Sequence, residues 1–197
     1  MEEKLLCRPP EAYVSRAQRE ALNGHKGFVV WLTGLSGSGK STIGHLLERR
    51  LHKEGVRSYV FDGDNVRRGL CSDLSFTPVA RRENMRRIGE VCKLFVDAGV
   101  VCICALISPL RDDRAMLAEI IGDEDIIEVY VSCPVDVCEQ RDTKGYYTLA
   151  REGKINNYTG VSSGYEVPAT PAIEIRTNEL DVHESVEMLY GLIRNRL

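Results

Sequence analysis

The sequence has no C-x-x-C pair and no clustered cysteine–histidine spacing, although it holds seven cysteines. Structural zinc sites built from closely spaced ligands are thereby excluded. The cysteines are odd in number and scattered, at 7, 71, 92, 102, 104, 133 and 138. That pattern argues against a disulfide framework and for reduced, mostly buried thiols in a cytoplasmic protein. No apolar run is long enough to cross a bilayer. The longest, Val100–Ile107, falls far short of the roughly 20 residues a transmembrane helix needs. An excess of positive charge is also missing: Lys+Arg 26 against Asp+Glu 29 gives a net charge of −3. General affinity for nucleic acid or for an anionic membrane is therefore not expected, and any bound anion must be met by a local cluster of positive charge. There is no internal repeat or low-complexity tract. The opening stretch MEEKLLCRPPEAY is acidic and broken by Pro-Pro, so it reads as neither a signal peptide nor an anchor.

What is present suits one α/β domain with a small appendage. Of the 197 residues, 43% are hydrophobic and 28% charged, ordinary values for a chain that can bury a real core. Short apolar runs alternate with helical patterns. Strands are predicted over Phe28–Thr33, Ser58–Phe61, Val100–Ile107 and Ile126–Val131, with a shorter one over Ile173–Arg176. Helices are predicted over Ser41–Glu54, Arg82–Ala98, Asp112–Ile121, from Val135 to Arg141, and over Val182–Arg196. This alternation implies a parallel sheet flanked by helices, with ligands gathering beyond the carboxyl ends of the strands. Residues 1–25 form a polar leader, helical around Ser15–Leu22, and residues 26–197 form the domain. The stretch 142–167, rich in Gly, Tyr, Lys and Asn, has the character of a lid.

The segment GLSGSGKS, Gly34 to Ser41, fills the pattern G-x-x-x-x-G-K-[ST] between a strand and a helix. Its parts are Gly34, Leu35, Ser36, Gly37, Ser38, Gly39, Lys40 and Ser41, with Thr42 following. Such a loop curls so that backbone N–H groups surround phosphate oxygens, at a helix N-terminus that favours anions. Lys40 reaches the β- and γ-phosphates, and the Ser41 hydroxyl can ligate Mg²⁺. A dinucleotide fingerprint fails for want of a third glycine. The ligand class is therefore ATP or GTP.

At the next strand's end stands FDGDNVRRGL. Of Asp62 and Asp64, placed beside the phosphate loop, one could hold Mg²⁺ or accept a proton from an attacking hydroxyl, and the other could orient Arg67. Arg81, Arg82, Arg86 and Arg87 crowd the start of a helix, with Asn84 three residues from Arg81 on the same face. Phe76, in the loop before them, reads equally as a stacking platform or as a residue folded onto the core. Ser108, in LISPLRDDR, emerges at the sheet's carboxyl edge, where it either caps a turn or faces a ligand.

Together these segments resemble the adenylylsulfate (APS) kinase family. The likeness runs from NGHKGFVVWLTGLSGSGKST through FDGDNVRRGL, FTPVARRENMRRIGEV, ALISPLRDDR and CEQRDTKGYY to YTGVSSGYEVP. The phosphate loop is common to many kinases, whereas DGDNVRRGL with R-x-x-N-x-R-R and I-S-P is specific. The resemblance implies a P-loop fold similar to nucleoside monophosphate kinases. It implies transfer of the γ-phosphate of ATP to the 3′-hydroxyl of adenylylsulfate with Mg²⁺, giving 3′-phosphoadenylylsulfate and ADP. It further implies a homodimer and functional coupling to an ATP sulfurylase.

By the same resemblance Gly34–Thr42 would hold the ATP phosphates, with Arg141 near the adenine. Asp62 or Asp64 would serve as metal partner and base. Arg67, Arg81 and Asn84 would grip the acceptor's phosphosulfate and ribose. Phe76 and Tyr158 would sandwich its adenine, Ile107 and Ser108 would line the site, and Lys144 would begin the lid. The chain departs from the family at Tyr158, usually Phe, at Thr148, Leu149 and Asn156, usually basic, and at Ala172, commonly Glu. Two other readings share the phosphate loop: a kinase for another small acceptor, and a nucleotide-binding regulator without turnover.

Overall fold

A computed structural model describes residues 13–142 and 144–197. The first twelve residues of the leader, with Cys7, and Thr143 in the lid lie outside the described residues. A five-stranded sheet is assembled from β1 (Val29–Thr33), β2 (Ser58–Asp62), β3 (Val101–Ala105), β4 (Ile126–Ser132) and β5 (Ile173–Arg176). Its order is β2-β3-β1-β4-β5 and every pairing is parallel. The helices are α1 (Arg16–Asn23), α2 (Lys40–Lys53), α3 (Gly63–Arg68), α4 (Pro78–Asp97), α5 (Arg111–Ile121), α6 (Val135–Arg141), α7 (Tyr146–Arg151) and α8 (Val182–Ile193). None of the described helices is long and apolar enough to cross a membrane.

Alternation along the strands builds two apolar layers. Val30 and Leu32 of β1, with Val101, Ile103 and Ala105 of β3, meet Ile43, Leu47 and Leu51 of α2 and Val186 and Leu189 of α8. Val29 and Trp31, with Cys102 and Cys104, face Met85, Ile88 and Cys92 of α4 and Leu117 of α5. Successive strand residues point to opposite faces, and with helices on both faces β1 and β3, in the interior of the sheet, are buried throughout. The six described cysteines are free and buried, as the sequence implies.

Several boundaries differ from expectation, each for a local reason. Helix α4 starts a turn early because Thr77 caps the Ala80 N–H and Pro78 occupies the first helical position. Helix α3 is not among the predicted helices. Its short run is held by a capping box in which Asp62 and Asn65 exchange bonds with each other's backbone. Helix α7 lies within the expected lid, and the Asp142 carboxylate accepts the Tyr147 and Thr148 N–H groups at its start. Strand β3 stops at Ala105, two residues short of the predicted end, and α8 gives way at Arg194–Arg196 to a tighter 3₁₀ turn. Around the amino ends of the strands, α1 docks by polar bonds. Arg16 pairs with Asp125 and donates to the Gly27 carbonyl, while Asn23 donates to the Gly99 carbonyl at 3.0 Å.

Leu47 is fully buried between α2 and the sheet, whereas Leu22 on α1 is 84% exposed. Leu47→Ala should cost about 2–5 kcal/mol by leaving a cavity, and Leu22→Ala should stay within about 0.5 kcal/mol. Urea unfolding of both variants measures the difference.

Candidate active site

The carboxyl ends of the strands gather nearly all the residues singled out by sequence. The phosphate loop leaves β1 and turns into α2 with Gly37 at φ 78° and Gly39 at φ 97°, the left-handed region that favours glycine. At Gly37 a side chain is also barred by contact, since a Cβ would stand 2.8 Å from the Cys138 carbonyl oxygen. Lys40 is buried, and its Nζ donates to the loop's own carbonyls, 2.9 Å from Gly34 O and 2.6 Å from Leu35 O. With no carboxylate beside it, burial pushes the ammonium down to about 8. Ser41 and Thr42 are exposed at the start of α2.

Arg141 braces the loop from outside. It donates to the Gly37 carbonyl at 3.2 Å and to the Thr177 carbonyl at 2.7 Å. Thr177 in turn donates to the Ser38 carbonyl at 2.8 Å. Sequence reasoning passed over Thr177; its only signal is its place one residue beyond β5.

Asp62 ends β2, which β3 separates from β1, and it approaches the helix that follows the phosphate loop, α2, whose His45 Nε2 is 3.6 Å from Asp62 Oδ2. Asp62 Oδ1 is committed to capping α3, accepting from Asp64 N–H at 3.0 Å and Asn65 N–H at 2.9 Å. Asp64 pairs with Lys144 at 2.5 Å, which ties the lid to α3. Among the described residues neither aspartate pairs with Arg67, contrary to expectation. Arg67 is oriented by the Leu74 carbonyl, at 3.0 Å, and by the Phe76 ring, 4.2 Å beneath its guanidinium carbon.

The crowded arginines of α4 separate into two kinds. Arg82 pairs with Asp113, Arg86 with Glu83, and Arg87 with Asp73 and Glu83. Arg67 and Arg81 have no carboxylate partner among the described residues, and burial pushes both guanidinium groups down. Arg81 reaches the lid, donating to the Asn157 carbonyl at 2.5 Å and the Thr159 hydroxyl at 3.4 Å. One turn on, Asn84 is 5% exposed and its Oδ1 has no hydrogen-bond partner. A buried acceptor left unpaired costs about 1–3 kcal/mol unless a ligand satisfies it. Phe76 is 64% exposed, which decides against its being a core residue.

Ser108 sits at φ 41° and is buried, its Oγ accepting from Trp31 Nε1 at 3.0 Å. The neighbouring Ile107 carbonyl accepts the Gly34 N–H at 3.4 Å and the Thr33 hydroxyl at 2.8 Å. Both residues thus border the phosphate loop.

The 142–167 segment is anchored by aromatic rather than aliphatic side chains. Tyr147, Ala150 and Tyr158 pack with Cys133 and Cys138 into a third apolar cluster that also takes in Leu35 of the phosphate loop. The Tyr158 ring meets Tyr147 edge-on at 5.1 Å, and the Tyr147 hydroxyl donates to the Ser36 carbonyl at 3.0 Å. Phe76 and Tyr158 do not touch; Arg81 links their surroundings through its bonds to Asn157 and Thr159.

No group of three or more His, Cys, Asp or Glu among the described residues forms a metal cage. Mg²⁺ at phosphates does not need one, since it takes one or two protein oxygens beside phosphate oxygens and water. The Ser41 hydroxyl and Asp62 Oδ2 are hard oxygen donors of the right kind.

A family model for adenylylsulphate kinase matches residues 26–176. The chain belongs to the adenylylsulphate kinase family. The adenylyl-sulfate kinase of Thermodesulfovibrio yellowstonii is 50% identical over 187 residues, covering 95% of this chain and 94% of that one. A probable adenylyl-sulfate kinase of Halalkalibacterium halodurans is 54% identical, with 93% and 91% covered. Among solved structures, the Mycobacterium tuberculosis APS kinase in complex with AMPPNP and APS matches with a TM-score of 0.83 at 40% identity, covering 86% of this chain and 99% of that chain. Helix α1 precedes the span that the adenylylsulphate kinase model matches.

The lowered Lys40 gives this adenylylsulphate kinase family member a pH signature. In the free protein the ammonium is lost as pH rises through about 8. A bound triphosphate stabilises the charged form, so nucleotide binding should take up a proton and weaken above pH 8, at roughly tenfold per pH unit. Titration calorimetry at pH 8.5 in buffers of different ionisation enthalpy measures that uptake. Lys40→Gln should abolish it, and a wild-type protein without uptake would move the ammonium elsewhere.

Proposed function

We propose that the protein transfers the γ-phosphoryl group of ATP to the 3′-hydroxyl of adenylylsulfate, releasing ADP and 3′-phosphoadenylylsulfate. The observation that carries this reading is the pairing of two sites at one edge of the sheet. A phosphate loop with a buried lysine stands at the same edge as two half-buried arginines that have no carboxylate partner among the described residues. In a protein of net charge −3, such half-buried unpaired charge suits an anionic ligand. The exposed Phe76 ring beside them suits an acceptor that carries a base.

In this reading Gly34–Thr42 cradle the triphosphate. Lys40 exchanges the Gly34 and Leu35 carbonyls for the β–γ bridge, where negative charge grows during transfer. Arg67 and Arg81 hold the phosphosulfate, and Asn84 Oδ1 accepts from a ribose hydroxyl. Asp62, with Oδ2 free of the helix cap, takes the proton of the attacking 3′-hydroxyl or steadies the metal together with Ser41. Magnesium, held there by Ser41 and Asp62, would neutralise phosphate charge. Asp64 acts through Lys144 to draw the lid toward α3, and Arg141 keeps the phosphate loop in shape on the adenine side. Ile107 and Ser108 form the wall between the two substrates, and Tyr158 contributes its ring from the lid. The reading brings with it a homodimer, a cytoplasmic setting and an ATP sulfurylase as source of the acceptor.

A coupled assay of ADP release, with adenylylsulfate and without any acceptor, tests the reaction. Release should require adenylylsulfate, and Lys40→Ala should lower turnover at least ~10²-fold, as loss of one preorganised charge does. ADP release that ignores adenylylsulfate would overturn the acceptor, and nucleotide binding without release would make the protein a regulator.

Arg67→Ala and Arg81→Ala should each weaken adenylylsulfate binding by about 1.5–3 kcal/mol, the worth of a charge-assisted bond to an anion, and leave ATP nearly unchanged. Calorimetric titration of each ligand decides, and equal losses for both would remove these arginines from the acceptor pocket.

A further inference from the structure

The exit of β3 and the carboxyl end of the lid are joined by a buried cation that the phosphate chemistry does not use. Arg114, in the first turns of α5, is 7% exposed. Its Nη1 donates to the Ser108 carbonyl and its Nη2 to the Glu166 carbonyl, each at 2.7 Å. Its Nε lies 2.5 Å from Glu128 Oε1 on β4, an ion pair that anchors the fork to the sheet. Its guanidinium carbon stands 5.9 Å from the centre of the Tyr165 ring.

Tyr165 continues the connection. Its hydroxyl is 2.9 Å from Thr33 Oγ1, and Thr33 in turn donates to the Ile107 carbonyl at 2.8 Å. With the Thr33 proton so committed, the tyrosine is the donor. Thr33 is the last residue before the phosphate loop. One chain of contacts therefore runs from the lid's end, through Arg114 and Tyr165, to Ser108 and to the root of the loop.

Ser108 has reason to need such support. Its φ of 41° is uncommon for a residue with a side chain. A conformation of that kind persists only where its surroundings over-determine it. Trp31 holds its hydroxyl and Arg114 its carbonyl, on two sides of the same residue.

We propose that Arg114, seconded by Tyr165, is a positioning residue for phosphoryl transfer: its fork holds the Ser108 wall and the lid's end in register with the phosphate loop, so that the acceptor hydroxyl rather than water meets the γ-phosphate. The proposal rests on the kinase reading above. A lysine keeps the charge but not the planar fork, so it can pair with Glu128 while losing the fixed geometry toward two carbonyls. Misplacement of reacting groups by about 1 Å can cost 10²-fold in rate.

The test compares two activities per folded molecule: transfer to adenylylsulfate, and ATP hydrolysis without acceptor, in which water takes the phosphoryl group and ADP leaves. Arg114→Lys should lower transfer about tenfold or more while hydrolysis does not fall in parallel. ATP analogue affinity should stay within about twofold. Tyr165→Phe, which removes one hydroxyl, should shift the ratio the same way by about threefold and decides the matter should Arg114→Lys not fold. Transfer unchanged in Arg114→Lys, an unchanged ratio in Tyr165→Phe, or both activities falling together would overturn the proposal. A wild-type protein inactive toward adenylylsulfate would overturn the kinase reading and this proposal with it; an active wild type with unaltered variants overturns the proposal alone.

Discussion

Positive charge held partly out of water without a carboxylate beside it is the constraint on which this site turns. A charged group loses hydration when buried, and proteins ordinarily repair that loss with an opposite charge. Arg114, 7% exposed, follows the rule through Glu128. Among the described residues Lys40, Arg67 and Arg81 do not, and they bond instead to carbonyls, hydroxyls and an aromatic face. Each of those contacts is weaker than a charged one and easily exchanged for an anion. The rest of the fold serves to keep the three groups in place while they wait.

How much of this was legible in the sequence depends on how far apart the deciding residues lie. Strand β1 could be read because five apolar residues in a row fill two faces of a buried sheet. The phosphate loop could be read because its chemistry is contained in eight consecutive residues. The neighbour of β2 could not, since strand order follows from crossover connections and leaves no mark on β2 itself. Arg81 and Arg82 look alike in sequence; only the fold brings Asp113, 31 residues on, to one of them and not the other. Helices α3 and α7 escaped because six residues are too few for a period, and both depend on a capping carboxylate, Asp62 and Asp142. The tyrosines of the lid were visible as residues, but their common cluster with Leu35 was not.

Among the contacts of the 142–167 segment with the rest of the protein, three differ most in chemistry. Apolar rings pack against the phosphate loop, an exposed ion pair joins Lys144 to Asp64, and a buried guanidinium pins the carboxyl end. The first and third are shielded from solvent, while the second stands in it and is worth little by itself. The buried contacts, rather than the exposed pair, therefore carry most of the hold on this segment.

Helix α1 makes the opposite bargain with solvent. Its apolar residues Ala17, Ala21 and Leu22 are all exposed, and it is fastened through Arg16, Arg19, Glu20 and Asn23. The heat capacity of unfolding comes from apolar surface newly met by water. Release of α1 exposes little apolar surface of its own, so it adds little to the heat capacity of unfolding, while its ion pairs to Asp125 and Asp97 make its docking sensitive to ionic strength.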